Sequence, residues 1–189
     1  MTMAVVLRRY RFTVDEYERL GQAGVLTQCD RVELLDGDIV EMTPIGDRHA
    51  SVVARLNSLF AARLGGRVIV WPQNPVRLRV VRSMPQPDVV LLRPRADFYS
   101  SGKPGPDDVL LLIEVMDTSA ETDRRVKLPL YARAGIVETW LVDLTTDSVE
   151  TFRRPTTPGY GENATFQRGQ RLAARAFPDL VLNVDDLLG

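Results

Sequence analysis

Two carboxylates stand in runs of sequence where an apolar core would not tolerate them. Asp88 heads Pro87-Asp88-Val89-Val90-Leu91-Leu92, and Glu114 interrupts Val109-Leu110-Leu111-Leu112-Ile113-Glu114-Val115-Met116. Both runs are nearly continuous in Val, Ile and Leu, the pattern of strands covered on both faces. A buried carboxylate left alone there would be destabilising by several kcal/mol or more, so each needs a partner. A divalent cation is the obvious one, because hard cations prefer carboxylate oxygens. Held between two acids, such an ion can lower the pKa of a water and neutralise charge building up in a transition state.

The elements that must position these acids follow from local signals. Thr13-Val14-Asp15-Glu16 fits a capping box that opens a helix running to about Gly21, with Gly24 marking its end. Arg31 to Met42 alternates around Asp36-Gly37, the turn dipeptide of a hairpin. From about Asp47 to Leu64, Val53, Leu56, Phe60 and Leu64 recur at helical spacing, and Gly65-Gly66 ends that helix. Three short strands are expected next, Arg67–Trp71, Val76–Val81 and Asp88–Leu92. Arg93 to Asp107, rich in Ser, Gly and Pro, reads as an exposed loop and a candidate flap.

Val109–Val115, a helix from about Ala120 to Ala134 and Glu138–Asp143 form a strand-helix-strand unit, which predicts a parallel pair. Pro129 inside that helix predicts a kink or a looser N-terminal half. Val149–Arg153 is expected to pair with a strand around Thr165 to Leu172, and Leu180–Val184 to close the chain. No internal repeat or second domain is visible, so residues 1–189 read as a single domain, a size that supports a real core.

Composition excludes little. Hydrophobic residues make up 44% of the chain and charged ones 26%, and the formal net charge is -1, so no global positive field announces a nucleic-acid partner. Cys29 is the only cysteine, which excludes an intrachain disulfide and a thiolate metal cluster. Met1 to Arg9 has too short an apolar stretch for a secretory signal, and no segment reaches membrane-spanning length, so a cytoplasmic protein is expected.

Taken together, several stretches resemble the Uma-type restriction endonuclease-like family of bacteria, within the PD-(D/E)XK nuclease superfamily. They are Glu33-Leu34-Leu35-Asp36-Gly37-Asp38-Ile39-Val40-Glu41-Met42, His49, Pro87-Asp88-Val89, Glu114-Val115, Asp123, Lys127, Tyr131-Ala132-Arg133-Ala134-Gly135-Ile136 and Glu138-Thr139-Trp140-Leu141-Val142-Asp143. The resemblance implies an α/β (α+β) restriction endonuclease-like fold, a mixed β-sheet flanked by helices. It also implies metal-dependent cleavage of phosphodiester bonds in DNA. Asp88 and Glu114 match the two metal-binding acids, with the Val115 main-chain carbonyl as a further ligand, and Glu33 would supply a third acid from a strand. Met116 stands where the superfamily has a lysine, two residues after the second acid. Lys127, on the following helix, is the natural substitute. An all-oxygen donor set favours Mg²⁺, with Mn²⁺ the alternative. A duplex has two strands to cut, so a homodimer is expected.

Each of these residues also has a plainer reading. Asp88 after a proline can be a strand-end residue, and Glu114 can be half of a salt bridge with Arg124. Glu33 in a hairpin is commonly a surface residue. His49, the only histidine, is either a polar residue at a helix start or a contact to phosphate or to the metal-binding acids. Lys127 can belong to a solvated helix face or pair with Asp123 four residues earlier, and Tyr131 one turn on reads as a packing residue. Arg77, Arg79, Arg82, Arg93 and Arg95 either grip phosphates or decorate a solvated edge. The rival functions are a binding or regulatory protein that kept the fold without turnover, and a hydrolase of small phosphoesters.

Overall fold

The computed structural model describes residues 9–27, 29–117 and 120–189. The N-terminal reading, Arg9 apart, lies outside those residues. Helix α1 (Val14–Gln22) opens on the expected capping box, in which Thr13 and Glu16 satisfy each other's backbone N–H. Strands β1 (Val32–Leu35) and β2 (Asp38–Glu41) form a separate hairpin. Its turn places Asp36 and Gly37 at φ 48° and 81°, both in the region such a tight turn demands. A Cβ on Gly37 would also come within 2.8 Å of Arg11.

Helix α2 (Asp47–Leu64) lies on one face of a six-stranded mixed sheet. Its strands are β3 (Ile69–Pro72), β4 (Val89–Leu92), β5 (Val109–Met116), β6 (Glu138–Asp143), β7 (Ser148–Pro155) and β8 (Tyr160–Gln167), hydrogen-bonded in that order. β5 and β6 are parallel and every other neighbouring pair is antiparallel. The short strands β9 (Arg171–Leu172) and β10 (Leu182–Asn183) pair with each other, and α5 (Val184–Leu188) follows.

Strand alternation sorts the sheet into two cores. Val89, Leu91, Leu111, Ile113 and Val115 face α2, where Val52, Val53, Leu56 and Phe60 meet them. Val90, Leu92 and Leu112 face the other way, against Leu130, Tyr131 and Ile136. With a period of two, Glu114 belongs to this second face. That face is covered by the crossover between β5 and β6, built from α3 (Ala120–Thr122), a π-turn over Asp123–Lys127 and α4 (Leu128–Arg133).

The π-turn is the form the expected Pro129 irregularity takes. Pro129 has no N–H to give and its ring would crowd the carbonyl four residues back. Widening the preceding turn relieves that conflict, and the Leu128 N–H reaches to Asp123 O, five residues back.

The sequence reading misses at Val76–Val81, which is not a strand of the sheet. Val76 and Leu78 are fully buried, as the alternation implied. Their backbone, however, bonds within an excursion closed by Leu78 and Ser83 and ending in a 3-10 turn over Arg79–Val81. Arg82, left-handed at φ 46°, reverses the chain there. Alternation reports burial and not the pairing partner.

The 93–107 segment is also more anchored than an open flap. Asp97 accepts from Arg95 and Ser101, Tyr99 is buried against Trp71, and Lys103 reaches Glu18 at 3.1 Å. Among the described residues no helix is long and apolar enough to cross a membrane.

Candidate active site

The candidate acids Glu33, Asp88, Glu114 and Asp123 line one cleft of about 1220 Å³, together with Lys127 and His49. Three pieces of backbone converge on its floor: the β1 strand, the chain entering β4 with the middle of β5, and the π-turn. β4 and β5 pair Val89 with Ile113, so the next step along the ladder sets Asp88 beside Glu114. The Asp88 N–H points at Glu114 Oε2 at 3.3 Å, and the Val115 N–H donates to Asp88 Oδ2 at 2.8 Å. The Val115 N–H thus contacts the site through Asp88.

Glu114 is 1% exposed. Its Oε1 accepts from the Tyr131 hydroxyl and lies 3.4 Å from Lys127 Nζ. That ammonium is also 3.3 Å from Glu33 Oε1 and 3.5 Å from Asp123 Oδ1. Glu33, on β1, is buried and takes the Gln86 N–H on its other oxygen at 3.1 Å. Lys127 thus makes the plainer i,i+4 contact with Asp123 and also lies beside Glu114 and Glu33. Arg124 turns away from Glu114 to Glu150, at 2.8 Å, so it does not neutralise Glu114.

Four carboxylates, those of Glu33, Asp88, Glu114 and Asp123, act on one lysine. Burial pushes the Glu114 carboxyl well above the usual carboxylate range; Lys127 opposes this, and Asp123 and Asp88 reinforce it. Burial by itself would lower the lysine, but Glu114, Glu33, Asp123 and Asp88 outweigh it and raise its pKa. Lys127 is therefore a firmly protonated ammonium, and negative charge remains in excess around it. Burial, followed by the field of Glu114, raises the Tyr131 hydroxyl far above its ordinary value and keeps it a donor.

His49 sits on α2 with Nε2 3.0 Å from Asp88 Oδ2. Its Nδ1 is the only buried side-chain N or O atom among the described residues without a hydrogen-bond partner. Burial works against the imidazolium, yet the Asp88 contact raises the His49 pKa overall.

Four of the five arginines weighed as phosphate contacts or edge residues, all but Arg82, bond to protein groups. Arg77 and Arg79 tie α1 down through Glu18 and Asp15, Arg93 bonds the Asp107 carbonyl and Arg95 holds Asp97. Tyr131, expected only to pack, does pack and also holds Glu114. Nothing in the sequence near Tyr131 signals that bond except its place one turn beyond Lys127.

A crystal structure from Anabaena variabilis, described as a "putative nuclease belonging to DUF820", has the same fold. It matches with a TM-score of 0.70 over 94% of this chain and 97% of its own, at 16% identity. Among curated proteins, none matches the chain. The model of the Uma2 family, described as "Putative restriction endonuclease", matches residues 14–185, and the chain belongs to that family.

Proposed function

We propose that this protein is a divalent-metal-dependent endonuclease that hydrolyses phosphodiester bonds in DNA. Family and fold support a nuclease, and restriction endonuclease-like families generally use divalent metals. The observation that carries the reading is Lys127 Nζ 3.4 Å from Glu114 Oε1. That contact supplies the cation missing at Met116 from a different element.

The donor set fits a hard divalent ion. It is all oxygen, and it carries more negative charge than Lys127 balances. Among the described residues no group of three or more His, Cys, Asp and Glu side chains forms a ready cage. Mg²⁺ does not require one, since it is commonly held by one or two carboxylates and keeps several waters. Asp88 and Glu114 are the proposed ligands, with the Val115 carbonyl as a further oxygen and Mg²⁺ or Mn²⁺ as the ion. The ion would polarise the phosphate and lower the pKa of a water.

The remaining work falls to this chain's own groups. Lys127, protonated, orients the attacking water and stabilises charge developing on the phosphoryl oxygens. Glu33 and Asp123 hold that ammonium in place, and Tyr131 fixes the rotamer of Glu114. Two strands and one such site per chain call for two copies, so a homodimer is part of the proposal.

Nicking of supercoiled plasmid, measured with Mg²⁺, with Mn²⁺ and with chelator, tests the reading. Metal-dependent nicking that is lost in Asp88→Asn and Glu114→Gln is the expected result. A second reading, a nuclease-fold protein that binds without turnover, is favoured by the lack of a ready cage. Mn²⁺ binding without nicking by the wild type would select it.

A further inference from the structure

We infer that His49 is a positioning residue for Asp88, fixing one carboxylate oxygen so that the other is presented to a divalent cation. This rests on the proposed metal role of Asp88. On α2 the buried positions Val52, Val53, Leu56, Phe60 and Leu64 form an apolar stripe facing the sheet. His49 continues the stripe by one more helical step, at a place where a leucine would pack without polar atoms. The imidazole side chain is 10% exposed, its Nδ1 has no partner, and its one hydrogen bond goes to Asp88. An unsatisfied buried polar atom is a net loss of stability. The position therefore retains an imidazole for that single bond.

The bond has a direction. Asp88 Oδ2 accepts from the Val115 N–H at 2.8 Å and meets His49 Nε2 at 3.0 Å. Those two donors, one from β5 and one from α2, hold the carboxylate across the end of β4. Neither engages Oδ1, which stays free to ligate. Nδ1 makes no bond that could turn the ring another way, so the contact with Asp88 alone sets its polar orientation. Groups that orient a ligating side chain typically change metal affinity by about 10–100-fold when removed.

Three versions of the full-length protein separate this role from packing: wild type, His49→Leu and His49→Gln. Leucine fills the stripe and lacks the donor. Glutamine carries an N–H at comparable reach. Mn²⁺ affinity is measured by calorimetry and thermal stability without metal by differential scanning. The expected result is Mn²⁺ binding weakened about 10-fold or more in His49→Leu, with metal-free melting unchanged or raised, and binding largely restored in His49→Gln. Equal Mn²⁺ affinity in wild type and His49→Leu would overturn the inference while leaving the metal site intact. So would weakening that Gln fails to restore. Absence of Mn²⁺ binding by the wild type overturns the metal role of Asp88, and this inference with it.

Discussion

Tyr131 and Lys127 approach the same oxygen of Glu114 from one helix, the phenol by donating a hydrogen bond and the ammonium from 3.4 Å. Spaced four residues apart, they straddle the junction where the π-turn passes into α4. The acid on β5 is thus held by two successive turns of the crossover that β5 itself leads into.

Lys127→Met should abolish nicking while leaving Mn²⁺ binding measurable. Removing the one ammonium among buried carboxylates should also lower the metal-free stability, by roughly 3–5 kcal/mol if the acids stay ionised and less if Glu114 takes a proton. Added Mn²⁺ should return much of that loss. Urea denaturation with and without metal checks this, and unchanged nicking would remove Lys127 from the mechanism.

Tyr131→Phe keeps the buried ring and deletes only the hydroxyl. A buried hydrogen bond contributes about 0.5–1.5 kcal/mol net and up to about 3 kcal/mol when its acceptor is ionised, so the urea midpoint should fall. Nicking should weaken more than Mn²⁺ binding, because Lys127 and Asp88 still hold the other contacts of Glu114. A midpoint equal to wild type would mean the bond adds no net stability.

Pro129→Ala gives the helix back its missing N–H and removes the ring that the π-turn accommodates. The segment should gain stability, since proline inside a helix is unfavourable by about 3 kcal/mol. Closing the wide turn would rotate Asp123 and Lys127 relative to α4, so nicking should fall as stability rises. Loss of stability without loss of nicking would contradict the link between the turn and the site.

Glu18 provides the pH test. Burial tends to raise its pKa, but Arg77 and Lys103 outweigh burial and hold it below the ordinary value of 4.5. A lowered folded-state pKa gives a contribution fully present above the unfolded value and lost as pH falls through the folded one. Glu18→Gln should therefore destabilise the protein at pH 7, and the difference should shrink as pH falls below 4.5 and through the lowered folded-state value. Equal destabilisation across that acid range would show that the clamp is not electrostatic.

Part of this site is legible in the sequence. Asp88 and Glu114 stand out because each is a carboxylate set against a Val-Leu-Ile run, although each alone also has a plainer reading, as a strand-end residue or half of a salt bridge. The capping box at Thr13 and the Asp36-Gly37 turn are local signals and appear where they were expected. Val76–Val81 failed because alternation fixes which side chains are buried, while ladder partners depend on distant chain. The π-turn was half legible: Pro129 announced an irregularity, but the sequence alone does not say whether the helix bends or widens. His49 and Tyr131 could not be assigned, since their partners lie 39 and 17 residues away.

The cleft's charge has a kinetic consequence. Among the described residues, seven carboxylates line it, on Glu18, Asp30, Glu33, Glu41, Asp88, Glu114 and Asp123, against the four basic side chains of Arg31, Arg77, Lys103 and Lys127. A polyanion approaching the metal-free protein is repelled at the mouth rather than steered, the opposite of a basic groove. On the proposed metal-dependent reading, a bound divalent cation offsets that charge, so the expected order of addition is ion first, nucleic acid second. Rapid-mixing experiments would show a lag when protein and DNA are combined before the metal, and none when the metal is already bound.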